Sequence, residues 1–500
     1  MKKLKFFMDN RFIESETGDY MDVYNPSTGE VIARAPCCTE SEVERVIASS
    51  RAAYREWSAT PVKERVQVLY RVRALIEKNL DELTLLVATE HGKVLDEARG
   101  ELLKAMEATE QAISAPSLLM GESLMDASTG FDSVLHRQPV GVFAGIAPFN
   151  FPAMIPMGWM APMCIACGNT MILKAASMTP LTAMRFAELY REAGLPEGVL
   201  NIVTCSRREA EIFLHHPVVN GITFVGSTSV GRHIYSTASA KGKRVQALCE
   251  AKNHALVLED APLDRTARGI INAYLGCAGE RCMALPVVVV QEKIADALSE
   301  TIVRFSRERV VGPAYEKTSE LGPLVSKSHK AFVEKCIEEG VKEGAKLLLD
   351  GRGCKVKGYE NGFYLGPTVF DHVTPEMKVG REEIFGPVLC IKRVKTFEEG
   401  LELMNSNPYA NGSVIFTQNG YYAREFARHT DAGMVGINVG IPVPVGMFPF
   451  SGNKKSFFGD LHVLGKDGIR FYTRVKTVTS RWFDENEIKA EKVSTWDGTI

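Results

Sequence analysis

The chain has 500 residues, 45% of them hydrophobic and 24% charged. That composition suits a soluble globular protein, and the length is too great for one hydrophobic core, so two or more domains are expected. A formal net charge of −2 gives no basis for binding a polyanion such as nucleic acid.

The 11 cysteines lack the short spacing of a disulfide scaffold, and Cys164, Cys249 and Cys390 sit inside apolar runs. They read as reduced thiols in a cytoplasmic setting. The opening MKKLKFFMDNRF is positive, but its apolar part stops at Asp9, so no export signal is expected.

Residues 25–29, Asn-Pro-Ser-Thr-Gly, read as a turn. From Glu40 onward Val43, Val46, Ile47, Ala53 and Trp57 fall on one helical face, and the same 3.6-residue period recurs over residues 62–80, 82–89 and 95–114. The first 115 residues are therefore expected to form a largely helical layer. Residues 131–137 alternate as a strand or extended arm does.

No charged residue stands between Arg137 and Lys174, a length that could cross a bilayer. Pro148, Pro152, Pro156, Pro162, Gly158 and Gly168 interrupt it, and Asn150 and Asn169 would be costly in hydrocarbon, so no membrane association is expected. A buried strand, a sharp turn and a buried helix fit better. Cys164 and Cys167 make a lone CxxC without a second ligand pair, which reads as packing and predicts no metal site.

Strands at 171–173, 199–203 and 222–225 then alternate with helices at 181–193, 208–215 and 230–239, the pattern of βαβ units and a parallel sheet. Such a sheet binds nucleotides beyond its strand C-termini, where helix N-termini present free N–H groups. Residues 226–231, GSTSVG, lie at such a point. They are not GxGxxG, nor a P-loop, because Arg232-His233 occupies the Lys-Ser/Thr place. A second α/β run follows, with helices at 266–275 and 294–307 and strands at 287–290, 389–394, 413–416 and 435–438.

Between the two runs lies GCAGERCMALPVVVV, residues 276–290, with Cys282 at its centre. A thiol reacts as its thiolate, which needs close backbone approach, a positive neighbour or N–H dipoles, and access to substrate. Gly276, Ala278 and Gly279 keep side chains out of the way, Arg281 is adjacent, and the apolar run after Pro286 supports the loop.

APFNFP (147–152), ILKAASMTP (172–180), FVGSTSVG (224–231), GERCMA (279–284) and EEIFGPV (382–388) occur in this order. The series resembles that of the aldehyde dehydrogenase superfamily over nearly the whole chain. AKNH (251–254), FPFSG (448–452) and GKDGIRFYTRVKTVTSRW (465–482) resemble the CoA-acylating methylmalonate-semialdehyde dehydrogenase branch.

The resemblance implies an α/β fold of three parts: a Rossmann-like NAD-binding domain from residues 1–125 and 145–252, an α/β catalytic domain from 253–445, and an oligomerisation arm and tail from 126–144 and 465–500. It further implies a homo-oligomer, dimer or tetramer, acting on a small aldehyde. By the same resemblance Cys282 attacks the aldehyde, while the Asn150 amide and the Cys282 N–H hold the oxyanion. Phe149, Lys174, Ser177, Gly226, Ser227 and Glu383 lie against NAD, with coenzyme A as co-substrate.

Three positions depart from the family pattern. Leu248 stands where hydrolytic members place the glutamate that activates water, so transfer of the acyl group to coenzyme A is expected; Glu250, two residues on, offers an alternative base for a hydrolytic enzyme. Lys104 stands where the branch carries an arginine that joins Arg281 in holding the substrate carboxylate, and lysine keeps the charge without the bidentate fork. Ser177 replaces a glutamate common in NAD-preferring members, which leaves NADP as an alternative cofactor.

Overall fold

A computed structural model describes residues 2–483 and 485. Its larger sheet takes the order Arg11–Ile13, Phe6–Met8, Leu200–Val203, Thr170–Lys174, Val142–Ile146, Val219–Val225, Arg244–Leu248 and Phe457–Phe458. The five central strands run parallel and the edges are antiparallel. The five central strands are buried along most of their length because helices cover both faces. On one face the helices Val62–Lys78, Leu80–His91 and Leu95–Ile113 share a core with the sheet, and on the other Arg207–His215 and Thr228–Ser239 do so.

The helices expected from Glu40 onward are present as Glu40–Ala59, Val62–Lys78, Leu80–His91 and Leu95–Ile113. The residues before them depart from a largely helical layer: they form strands at Phe6–Met8, Arg11–Ile13, Tyr20–Asn25 and Glu30–Pro36. The first two are joined by Asp9 and Asn10 at φ 51° and 56°, the left-handed pair that a two-residue hairpin requires. Three-residue strands are too short to show a period.

The uncharged run forms the strand Val142–Ile146, a wide turn of helix at Met154–Met160 and the helix Ala161–Ala166, with Cys164 and Cys167 buried among them. No helix among the described residues is long and apolar enough to cross a membrane.

The second sheet has the order Lys346–Leu349, Thr368–Asp371, Val388–Val394, Val287–Gln291, His254–Val257, Gly412–Phe416 and Met434–Ile437. A third, of Thr473–Arg481, Phe131–Pro139 and Ser123–Ser128, stands apart, with Leu124, Met125, Val475 and Val478 exposed. Of the expected tail, residues 484 and 486–500 lie outside the described residues.

The site follows from this topology. In the larger sheet the chain runs from Val142–Ile146 outward through Thr170–Lys174 and Leu200–Val203 on one side, then through Val219–Val225 and Arg244–Leu248 on the other. Such a switch point opens a crevice beyond the strand C-termini. Residues 249–253 alone carry the chain from there to the start of His254–Val257 in the second sheet. The C-terminal edge of one sheet therefore faces the N-terminal edge of the other across a cleft.

Candidate active site

The Cys282 loop begins where the helix Leu263–Leu275 stops at Gly276. Cys277 and Ala278 at φ 52° and Gly279 at φ 77° reverse the chain. Only glycine fits at 279, since a Cβ there would lie 2.2 Å from the Gly386 carbonyl oxygen. Glu97 Oε1 accepts the Cys277 N–H at 2.8 Å. Asn253 Nδ2 donates to the carbonyls of Cys282 (2.8 Å) and Ala284 (2.7 Å), and Asn411 Nδ2 adds a bond to the Cys282 carbonyl at 3.2 Å. Two side-chain amides thus fix the backbone at Cys282.

Cys282 is part-exposed, while Cys277 beside it is buried. A small cavity is lined by Cys282, Asn253, Arg281, Glu383 and Phe385. Burial and then the Glu383 carboxylate push the thiol up to about 12, against the pull of its own N–H, Arg281 and the Met283 N–H. At neutral pH the resting thiol therefore keeps its proton. Arg281 does not turn to it: Nη2 donates to the Asn272 and Ala273 carbonyls at 2.5 and 3.2 Å, while Nε is buried without a partner among the described residues.

Asn150 is buried at the C-terminal edge of the larger sheet, and its Nδ2 donates to the Glu280 carbonyl at 3.0 Å. The structure therefore brings Asn150 and the Cys282 loop together. It adds a pair that sequence reasoning missed: Lys93 Nζ donates to Glu101 Oε2 at 2.6 Å and to the Asn150 carbonyl at 2.7 Å, with both side chains fully enclosed. A sequence signal exists in Glu97 and Glu101, four apart in the helix Leu95–Ile113 and flanked by the buried Ala98, Leu102 and Ala105.

The expected cofactor residues collect on the same edge. Lys174 ends its strand, with burial lowering its pKa and the thiols Cys205 and Cys37 near its ammonium. Ser177 Oγ is buried without a partner among the described residues. The Phe149 ring stacks on His91 at 6.1 Å and meets Phe385 edge-on at 5.9 Å. The Gly226 N–H bonds the Leu248 carbonyl at 3.0 Å, and a Cβ at Gly226 would lie 2.5 Å from the Phe224 ring. Ser227 caps the helix Thr228–Ser239 without its side chain bonding the first-turn N–H groups, which have no side-chain cap among the described residues and so suit an anion. Glu383 sits across the cleft, where Oε1 accepts the Ala251 N–H at 3.0 Å. Burial and then Glu250 push its carboxyl up to about 8.

Lys104 and Arg281 are not joined at one point. The Lys104 ammonium, 43% exposed, bonds Glu107 Oε2 at 2.6 Å, and Glu107 Oε1 takes the Gly446 N–H at 2.7 Å. Leu248 is buried and apolar. Glu250 Oε2 accepts the Tyr409 hydroxyl at 3.2 Å.

A dinucleotide-type crevice facing a thiol, a side-chain amide and an enclosed carboxyl is the arrangement that aldehyde oxidation through a covalent intermediate requires. Residues 12–478 match the aldehyde dehydrogenase family. The chain belongs to that family. It is an oxidoreductase, and similar aldehyde dehydrogenases include malonate-semialdehyde dehydrogenase 2 of Shouchella clausii (strain KSM-K16), 47% identical over 97% of this chain and 99% of the relative. The malonate-semialdehyde dehydrogenase of Halalkalibacterium halodurans is also 47% identical, over 96% and 99%.

Among solved aldehyde dehydrogenases, the methylmalonate-semialdehyde dehydrogenase of Oceanimonas doudoroffii superposes with a TM-score of 0.95 at 42% identity, covering 97% of this chain and 99% of that one. A Sinorhizobium meliloti 1021 protein described as a methylmalonate-semialdehyde dehydrogenase, solved with NAD, gives 0.95 at 41% identity over the same shares.

Proposed function

We propose that this aldehyde dehydrogenase oxidises a short semialdehyde bearing a carboxylate, malonate or methylmalonate semialdehyde, with NAD, and passes the acyl group from Cys282 to coenzyme A. The names of the relatives support the substrate class. The observation that carries the acceptor is Leu248: an apolar, buried side chain stands where water would be activated.

The residues present fit the cofactor. Lys174, a buried ammonium at a strand end without a carboxylate partner among the described residues, and the first-turn N–H groups of the helix Thr228–Ser239 suit the ribose and pyrophosphate. Phe149, Ser177, Gly226, Ser227 and Glu383 complete that site. Bound NAD supplies the hydride acceptor. The chain's own part is to bring the Cys282 sulfur to the carbonyl carbon, the thiol losing its proton to solvent as it attacks, with Asn150 Nδ2 and the Cys282 N–H donating to the developing oxyanion. The acyl group is left as a thioester on Cys282.

Arg281 lines the cavity with Cys282, and its Nε, unpartnered among the described residues, is a donor for the substrate carboxylate. Lys104 is the second cation, recruited from Glu107. We assign residues 1–125 and 145–252 to cofactor binding, 253–445 to catalysis, and the three-stranded sheet to assembly of a cytoplasmic homo-oligomer through its exposed apolar residues.

Turnover of C3 to C5 semialdehydes and simple aldehydes, with NAD and with NADP, each with and without coenzyme A, tests the proposal. Fast turnover of the carboxylated substrates that requires coenzyme A supports it. Preference for uncharged aldehydes, or indifference to coenzyme A, contradicts it.

A further inference from the structure

We propose that Lys93 and Glu101 form a buried clamp that positions Asn150, so that Lys93 is a positioning residue of the reaction although it touches no reacting atom. The inference rests on Asn150 serving the oxyanion.

The chain leaves the strand Val142–Ile146 and must turn into the irregular helix Met154–Met160, with Pro152 supplying no N–H. This turn leaves the Asn150 carbonyl and the Ala153 and Met154 N–H groups without regular partners. Each is met by the clamp. Lys93 Nζ takes the Asn150 carbonyl at 2.7 Å, and Glu101 Oε1 takes the N–H groups of Ala153 and Met154 at 2.7 and 3.0 Å. Lys93 and Glu101 bond each other at 2.6 Å, and the ammonium lies 3.9 Å from the centre of the Phe151 ring.

Lys93 reaches this place because Gly92, at φ 97°, ends the helix Leu80–His91 and turns the next residue inward.

A fully enclosed ion pair gains little stability over an apolar pair of similar size, because desolvation offsets its attraction. What the charges supply is placement. At its other end Asn150 spends one Nδ2 proton on the Glu280 carbonyl, which leaves the second for the oxyanion. Held at the backbone by Lys93 and at the side chain by Glu280, the amide has one orientation. A misplacement of about 1 Å at such a group costs on the order of 10²-fold in rate.

The test is a double-mutant cycle between Lys93 and Asn150. Lys93→Met is made together with Glu101→Gln, so that no unpaired carboxylate stays buried and the glutamine carbonyl still accepts the Ala153 and Met154 N–H groups. The readouts are the rate of the first turnover of reduced nicotinamide and the dissociation constant for NAD. The clamp predicts a first turnover roughly tenfold to 100-fold slower, unchanged NAD binding, and no further loss when the clamp substitutions are added to Asn150→Ala, because Lys93 acts only through Asn150.

Lys93→Gln in the same background keeps a donor for the Asn150 carbonyl. It covers the case of a poorly folding methionine variant, with a smaller loss and the same non-additivity expected. A wild-type first turnover in either variant, or losses that multiply with that of Asn150→Ala, overturns the clamp. If Asn150→Ala alone leaves the first turnover unchanged, the oxyanion role of Asn150 fails instead, a result that the single variant identifies by itself.

Discussion

Asn150 Nδ2 lies 3.0 Å from the Glu280 carbonyl, and this bond ties the C-terminal edge of the larger sheet to the Cys282 loop. The two residues lie on loops carried by different sheets, so any shift of one sheet against the other changes the distance between the amide and the thiol. The reaction therefore depends on how the cleft is closed as much as on the side chains within it.

Replacing Cys282 with alanine is expected to lower dehydrogenase turnover by roughly 10³-fold or more, as loss of a covalent nucleophile does, while leaving NAD affinity nearly unchanged. Steady-state turnover and a fluorescence titration measure the two. Substantial residual turnover would remove Cys282 from its role.

Arg281 and Lys104 are expected to act on the charged substrate alone. A charge-assisted hydrogen bond is worth about 1.5–3 kcal/mol, so Arg281→Gln should raise KM for a carboxylated semialdehyde about tenfold to 100-fold and for propanal far less. Lys104→Ala should act in the same direction but more weakly, because the ammonium is half-exposed and already paired with Glu107. Equal effects on both substrates would make these residues structural.

Glu383 is expected to modulate the pH response of a thiol that burial already raises. Its carboxyl, pushed up to about 8, is neutral below that pH and charged above it, and only the charged form raises the Cys282 thiol. Glu383→Gln keeps the acceptor for the Ala251 N–H and removes the charge. Iodoacetamide should then modify both proteins at similar rates near pH 6.5, with the variant pulling ahead above pH 8 by up to about tenfold, one pKa unit. A constant ratio across the range would separate the two groups.

How far the sequence could be read varied by element. Long helices such as Glu40–Ala59 carry their period over several turns, and parallel strands such as Val287–Gln291 are apolar runs bounded by turn residues, so both were legible, whereas Arg244–Leu248, His254–Val257 and Thr368–Asp371, short or mixed with polar residues, were not. The hairpin of Phe6–Met8 and Arg11–Ile13 was hidden by its length, with only Asp9-Asn10 as a mark. Cys282 and Asn150 stood out through the motifs around them. Lys93 and Glu101 did not, because charged residues eight apart read as solvated surface, and only the fold shows that Gly92 turns one of them into the core. The orientation of Arg281 is a matter of side-chain packing over Gly276, where a Cβ would lie 1.9 Å from the guanidinium, and a sequence gives no access to it.

Glu250 is expected to be dispensable for the chemistry. Its carboxylate is held by the Tyr409 hydroxyl at 3.2 Å, and Glu250→Gln should leave both the first turnover and the rate with coenzyme A within about twofold. If the variant instead slowed turnover without coenzyme A while sparing the first turnover, Glu250 would be the base and the enzyme hydrolytic.

The most direct test of the account is rapid mixing of enzyme, NAD and malonate semialdehyde without coenzyme A. Hydride transfer needs nothing that is missing, whereas release of the acyl group lacks the base that Leu248 has displaced, and such assistance is typically worth about 10²- to 10⁴-fold. The account predicts a burst of reduced nicotinamide approaching one equivalent per active site, then a slow rate that coenzyme A accelerates. Steady turnover from the first cycle, at a rate that coenzyme A leaves unchanged, would contradict it.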